Sequence, residues 1–188
     1  MRMMQILLVI LYSLILIFLV AVIVIAIMYE FSLLATKAPF ISIPRAVVPM
    51  IVDVLELKEG SVCYDLGCGE GRVLFGCEAK VPGVKYIGID KARVAIWQAK
   101  LNAWRKKSKI IFIKDDFFKH DLSAATHVFV YLFPGLMNDL LPKLEKELKP
   151  GTRLVSCDFV FEKKQPVQTI ELHRPKGLLG QKLVVYKF

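Results

Sequence analysis

The sequence predicts an α/β fold: a doubly wound, mostly parallel seven-stranded sheet ending in an antiparallel hairpin, preceded by one N-terminal transmembrane helix. Three observations carry this prediction. From Ser61 onward, short apolar runs alternate with helix-compatible segments, the pattern of a parallel sheet covered on both faces. A glycine turn, Tyr64 to Arg72 (Y-D-L-G-C-G-E-G-R), separates the first of these runs from the first helix. Ahead of both, Ile6 to Met28 contains no charged residue.

That apolar run would make a helix of roughly 35 Å, enough to cross a ~30 Å hydrocarbon core with some tilt. It is longer than the ~7–15-residue apolar region of a signal peptide, and no small-x-small cleavage site follows it. Residues 1–30 are therefore expected to be a membrane anchor and 31–44 a connector, with Pro39 and Pro44 framing Phe40-Ile41-Ser42-Ile43. Residues preceding proline are held extended, so the connector should be stiff. Val47, Val48, Ile51, Val52 and Leu55 give a helical apolar stripe that opens at Pro44 or at Pro49. The domain proper is expected over 45–188.

The strands are read at Val62–Leu66, Lys85–Asp90, Ile110–Lys114, His127–Phe133 and Arg153–Cys157, and the helices at Arg72–Lys80, Ala92–Lys106 and Leu136–Leu148. Pro150-Gly151 stops the last of these helices. Thr169–His173 and Leu183–Tyr186 have no helix between them, so they should pair as an antiparallel hairpin at one end of the sheet.

Charge and composition narrow the function. The chain carries a net charge of +9 over 188 residues. Its basic residues are scattered and no aromatic-interleaved RNA motif accompanies them, so no nucleic-acid partner is expected. A basic surface facing anionic headgroups accounts for the charge, each nearby cation contributing about 1 kcal/mol. Cys63, Cys68, Cys77 and Cys157 form no C-x-x-C pair, and His120, His127 and His173 are dispersed. No metal is expected, and the thiols are expected to be free in a reducing compartment.

The chemistry centres on Gly67, Gly69 and Gly71, spaced G-x-G-x-G between strand and helix. Such a turn lets backbone approach a nucleotide at a helix N-terminus. In the dinucleotide fingerprint the third glycine falls one residue later and the ligand is a pyrophosphate. Here Asp65 stands two residues before the turn, where a carboxylate repels a pyrophosphate and attracts an ammonium or sulfonium. The ligand implied is S-adenosylmethionine. Asp90 ends the second strand 19 residues beyond Gly71, close to the ~20-residue offset of a ribose-binding acid. Asp116, followed by Phe117, closes the third strand, suited to an adenine amino group with an aromatic cover. Tyr131 and Phe133 end the fourth strand, where aromatic faces could line a channel for the incoming nucleophile.

Asp65, the glycine turn, Asp90 and Asp116 follow in the order and spacing of the class I (seven-β-strand) S-adenosylmethionine-dependent methyltransferases, which this chain resembles from Pro44 to its carboxyl end. It is most similar to the ATP synthase c-subunit lysine methyltransferase family and its prokaryotic relatives, through A-P-F-I-S-I-P-R at Ala38–Arg45, D-L-G-C-G-E-G-R, Y-L-F-P and L-V-S-C-D-F. Two positions depart from that pattern: Thr36 sits two residues early, and Asp90 stands where glutamate is common. The resemblance implies cofactor binding by Asp65, Gly67, Gly69, Gly71, Asp90 and Asp116, with the segment around Phe40 covering the site. It implies a protein-lysine N-methyltransferase, and with the anchor a membrane-associated protein as acceptor; the basic remainder of the chain and a cofactor made in the cytosol place the domain on the cytoplasmic or matrix face of the bilayer. Methylation of a lipid or quinone, and cofactor binding without catalysis, are the alternatives. Glu70 and Asp158 are the candidates for a general base.

Overall fold

The computed structural model describes residues 2–34, 42–175 and 177–188. Phe40, Thr36 and Pro39 lie outside the described residues. The chain forms two compact units, Met1–Pro39 and Phe40–Phe188.

The described residues of the first unit form one helix, α1 (Arg2–Leu34), of 33 residues. Its stretch Arg2–Glu30 is long and apolar enough to cross a membrane. Large apolar side chains are exposed along it from Met3 to Tyr29, so no polar face marks a side meant for water.

The second unit is a seven-stranded sheet in the order β3-β2-β1-β4-β5-β7-β6. A 3₁₀ turn at Arg45–Val47 leads into α2 (Val48–Leu55), with Pro49 in its first turn, where a missing N–H costs nothing. Then come β1 (Val62–Leu66), α3 (Arg72–Lys80), β2 (Lys85–Asp90), α4 (Arg93–Lys106), β3 (Ile111–Lys114), β4 (His127–Val130), α5 (Pro134–Glu147), β5 (Arg153–Cys157), β6 (Gln168–Glu171) and β7 (Lys182–Lys187). Strands β1 to β5 pair in parallel. β7 runs antiparallel to both β5 and β6, so the expected hairpin is present, with its second strand inside the sheet.

Alternate residues of each strand serve opposite faces, as the two-residue period requires. Cys63, Phe129, Val155, Leu183 and Val185 pack under α2, α3 and α4 with Ile51, Leu55, Leu74, Cys77, Ile96 and Ala99. Tyr64, Leu66, Val128, Val130, Leu154, Val184 and Tyr186 pack on the other face with Met137, Leu140 and Leu144 of α5 and with Phe117 and Leu122. Burying each of the larger side chains contributes about 1.5–3 kcal/mol. Arg153 ties β5 to the end of α2, donating to the Val54 carbonyl and the Glu56 carboxylate, each at 2.8 Å.

One boundary differs in a way that matters for the site. The fourth strand ends at Val130 rather than Phe133. Val130 pairs with Leu66 and Ser156, β1 turns away at Gly67 and β5 runs only one residue further, to Cys157, so Tyr131-Leu132-Phe133 loses its neighbours on both sides. Pro134 then opens α5 two residues earlier than expected, its fixed φ suiting the first helical turn.

Candidate active site

The carboxyl ends of β1, β2, β3 and β4 meet at one edge of the sheet. The chain runs outward from β1 to β2 and β3, then crosses back to β4 on the other side of β1. In doubly wound sheets such a reversal of strand order opens a crevice that binds ligands. Every described candidate residue for cofactor binding stands at this edge, on or just after one of these strands.

The glycine turn closes the end of β1. Gly67, Gly69 and Gly71 have φ of 79°, 54° and 83°, in the left-handed region that side chains other than glycine's populate at a cost. The amides of Gly67 and Cys68 both donate to the Ile89 carbonyl, at 2.8 and 3.1 Å, which fixes the turn to the end of β2. A side chain on Gly67 would press Leu132 at 3.1 Å, so the loops after β1 and β4 touch here.

Asp90 braces the same turn. Its Oδ2 accepts the Gly69 amide at 2.9 Å and its Oδ1 the Ala92 amide at 2.8 Å. Asp90 therefore also shapes the entry to α4, and each oxygen keeps a lone pair for a hydroxyl donor.

Asp65 is 3% exposed, and no described residue donates a hydrogen bond to its carboxylate. Burial, and secondly the charge of Asp90, push its carboxyl up to about 8. A buried carboxylate paired with no cation among the described residues fits a ligand that brings one, and S-adenosylmethionine carries both an ammonium and a sulfonium. The residues present thus suit that cofactor: backbone amides and a glycine cradle at Gly67–Gly71, a carboxylate with acceptor positions left for hydroxyls at Asp90, and a buried acid at Asp65 that an incoming cation would ionise. The raised folded-state value means Asp65 holds its proton more tightly folded than unfolded. Its contribution to stability is greatest below its ordinary range near 4 and is lost as pH rises towards 8. Binding a cation reverses that preference. At pH 7 cofactor binding should release up to about one proton, visible as a calorimetric enthalpy that varies with the ionisation enthalpy of the buffer. A buffer-independent enthalpy would rule the coupling out.

At the end of β3 the two aspartates have separated roles. Asp115 pairs with His120, whose Nδ1 lies 2.9 Å from Oδ2, and that hydrogen bond holds its carboxyl below the usual range. Asp116 accepts the Phe118 amide at 3.0 Å and pairs with Lys91 at 3.0 Å, so the loops after β2 and β3 are joined beside Asp90. Phe117 is buried and stacks on Phe118 at 4.9 Å between ring centroids. Its ring packs in the core beneath Asp116.

The aromatic group after β4 gains a member. Phe159, following β5, lies 5.7 Å from Tyr131 and 5.6 Å from Phe133 between ring centroids. Sequence reasoning gave Phe159 no role. Its signal was the carboxyl end of a parallel strand, at Cys157-Asp158-Phe159. The Tyr131 hydroxyl is, among the described residues, the one buried side-chain polar atom without a hydrogen-bond partner. Burial, then Asp158, push its proton affinity up to about 12, so it stays protonated and able to donate.

The two base candidates are engaged elsewhere. Asp158, itself at φ 62°, accepts the amides of Gly180, Gln181 and Lys182 at 2.6, 2.6 and 3.2 Å, pinning the β6–β7 loop. Glu70 is paired with Arg72, which also donates to the Ile43 carbonyl and so joins the glycine turn to the residues before α2. No cluster of His, Cys, Asp and Glu able to hold a metal occurs among the described residues.

Comparison with known proteins identifies the family. The ANTKMT methyltransferase domain matches residues 65–168, more than half of the chain. A protein-lysine N-methyltransferase of Saccharolobus islandicus is 33% identical over 71% of this chain and 84% of its own length. The human ATP synthase c-subunit lysine N-methyltransferase is 28% identical over 65% of this chain. The match spans only about half of that animal enzyme (52%). Among solved structures, an RNA methyltransferase from Salinibacter ruber in complex with S-adenosyl-L-homocysteine aligns with a TM-score of 0.72 and 30% identity, covering 78% of this chain and 93% of its own. These likenesses, on a doubly wound sheet with a glycine turn after its first strand, place the chain: it belongs to the ANTKMT methyltransferase domain family and is an S-adenosylmethionine-dependent methyltransferase.

Proposed function

We propose that this enzyme is a membrane-anchored protein-lysine N-methyltransferase acting on a membrane-associated protein, with its catalytic domain on the cytoplasmic or matrix face. The observation that carries the acceptor is the unpartnered, buried hydroxyl of Tyr131 between the rings of the sheet's carboxyl edge. The hydroxyl oxygen can accept an N–H of a neutral amine, which leaves the amine's lone pair for the methyl, and Phe133 and Phe159 supply the apolar walls a lysine stem would pack on. Relatives named as protein-lysine methyltransferases support the same acceptor.

When bound, S-adenosylmethionine supplies an electrophilic methyl on a sulfonium. The protein's part is to hold the cofactor with Asp65, Gly67, Gly69, Gly71, Asp90 and Asp116, with Phe117 beneath the last, and to align the acceptor. An apolar approach lowers the acceptor amine's pKa, so its proton is lost to water before transfer. With Asp158 bound to three amides and Glu70 bound to Arg72, no dedicated general base is required of the site. The part assigned to Phe40, covering the site, is proposed on sequence alone.

Membrane anchoring rests on α1, whose Arg2–Glu30 stretch is long and apolar enough to cross a bilayer. Membranes incubated with the enzyme and methyl-labelled cofactor should yield label in a protease-sensitive band, on lysine by mass spectrometry. Label that partitions into lipid extract would establish the lipid or quinone reading instead, and nuclease-sensitive label an RNA acceptor. Cofactor binding without any transfer would establish a binding module.

Tyr131→Phe separates catalysis from folding. Removing an unsatisfied buried hydroxyl should leave stability unchanged or raise it by about 1 kcal/mol, while kcat/KM falls roughly tenfold or more. Thermal melts and transfer assays on one preparation test both halves, and an undiminished kcat/KM would remove Tyr131 from the acceptor site.

A further inference from the structure

Helix α4 is built inside out for a water-facing helix. Against the sheet it buries Ala95, Ile96, Ala99 and Ala103. Its large rings, Trp97 and Trp104, are 63% and 77% exposed. Arg93, Trp97, Lys100 and Trp104 fall at i, i+4, i+7 and i+11, one continuous stripe down the helix, and all four are exposed. Val94 and Leu101 flank that stripe half-buried. Indoles usually lie largely buried, and two of them on one exposed stripe mark an interaction surface.

The charge around the stripe is one-sided. Between Asp90 and Asp115 the chain has eight basic residues, Lys91, Arg93, Lys100, Arg105, Lys106, Lys107, Lys109 and Lys114, and no acidic one. An open depression beside Trp104 is lined by Arg105, Lys107 and Ser108, whose side chains can donate to phosphate oxygens. A second copy of the chain is a poor occupant, because a two-fold contact would set this cationic stripe against itself. Indole rings flanked by Lys and Arg match the headgroup level of an anionic bilayer, where an amphipathic ring is satisfied on both sides.

We propose that the Arg93–Trp97–Lys100–Trp104 face of α4 is a docking surface for anionic lipid headgroups, by which the catalytic domain lies against the bilayer. The inference rests on the membrane anchoring proposed above, since α1 in the same chain brings a bilayer within reach. The connector between Leu34 and Arg45 has ten residues and can extend at most about 36 Å, which keeps the domain near any membrane holding α1. A nucleic acid would explain the cations and the rings but not α1. Docking would hold the edge of the sheet that carries Asp90, immediately before α4, close to the membrane plane where an embedded protein presents its lysines.

The two tryptophans are the chain's whole complement, so intrinsic fluorescence reads this face and no other. The full chain would be reconstituted into neutral phosphatidylcholine vesicles and into vesicles with about a third phosphatidylglycerol. With anionic lipid, emission should shift to the blue, become quenchable by brominated acyl chains and lose access to aqueous acrylamide. Raising the salt should reverse the change. Arg93→Glu with Lys100→Glu should lose the shift while keeping calorimetric cofactor affinity. Red, acrylamide-quenched emission in anionic vesicles overturns the proposal, whether or not the double variant folds. Equal shifts in both vesicle types overturn the anionic selectivity. A response to single-stranded RNA with none to anionic vesicles assigns the face to nucleic acid instead. Concentration-dependent protection in neutral vesicles assigns it to a second copy. The anchor is read separately, by flotation of the chain with neutral vesicles, so a chain that fails to float refutes the reading of α1 while the emission shift still decides α4.

Discussion

Asp90→Ala should weaken S-adenosylmethionine binding by about 2–4 kcal/mol, some 30- to 1,000-fold. Two losses add in this variant. The ribose hydroxyls lose a charged acceptor, and the Gly69 amide loses the oxygen that holds it at 2.9 Å, so the turn that cradles the cofactor is no longer held to the end of β2 at that point. The entry to α4 also loses its bond to Ala92. Because the bonds to Gly69 and Ala92 are internal, the variant should also melt earlier, and the two effects need separate measurement. Calorimetric titration on protein shown to be folded by circular dichroism gives the binding term. An affinity within threefold of the parent would mean that Asp90 serves the fold alone.

Gly71→Ala should be a strongly damaging single methyl. At φ 83° an alanine pays for the left-handed region, about 1–2 kcal/mol. Its Cβ would stand 2.4 Å from Cζ of Phe112. Phe112 has no room to retreat, because it is buried and also packs over Gly88, where an added Cβ would meet it at 2.8 Å. Overpacking of this kind costs a further ~1–3 kcal/mol. The sum, about 2–5 kcal/mol, corresponds to a Tm lower by roughly 5–15 °C for a unit of this size. Gly135→Ala is the control: its added methyl meets nothing within 4 Å, and in the first turn of α5 it should stabilise by up to about 1 kcal/mol. Equal melting temperatures for the two variants would refute the packing argument.

Some of this is legible in the amino acids alone. β1, α3 and β2 fall where the apolar runs and the glycine turn put them, because the turn's φ requirements leave the chain little choice there. Local pattern carries the fourth strand three residues too far, since Tyr131-Leu132-Phe133 has every local preference for a strand and it is the departure of β1 at Gly67 and the end of β5 at Cys157 that stop it. That is tertiary information. The hairpin follows from the missing helix between its strands, but their order in the sheet needs a subtler signal. Gln168–Glu171 is largely exposed while Leu183–Tyr186 is wholly buried, and only an interior strand can be apolar on both faces. In the site, spacing names the charges but not their partners. Lys91 on Asp116, Arg72 between Glu70 and Ile43, and Phe159 against Tyr131 join residues from separate loops. Asp158 shows the converse, an acid placed by motif near the chemistry whose oxygens are taken by a loop more than twenty residues away.

The interior position of β7 sets an order of events during synthesis. β5 and β6 hydrogen-bond to β7 on its two sides and not to each other, and β7 leaves the ribosome after both. Until it emerges, β5 presents an open edge and β6 has nothing to pair with, so that end of the sheet stays unformed. The apolar stretch of α1 is translated long before. That stretch is therefore open to whatever would receive it while the β5 edge of the sheet still waits for β7.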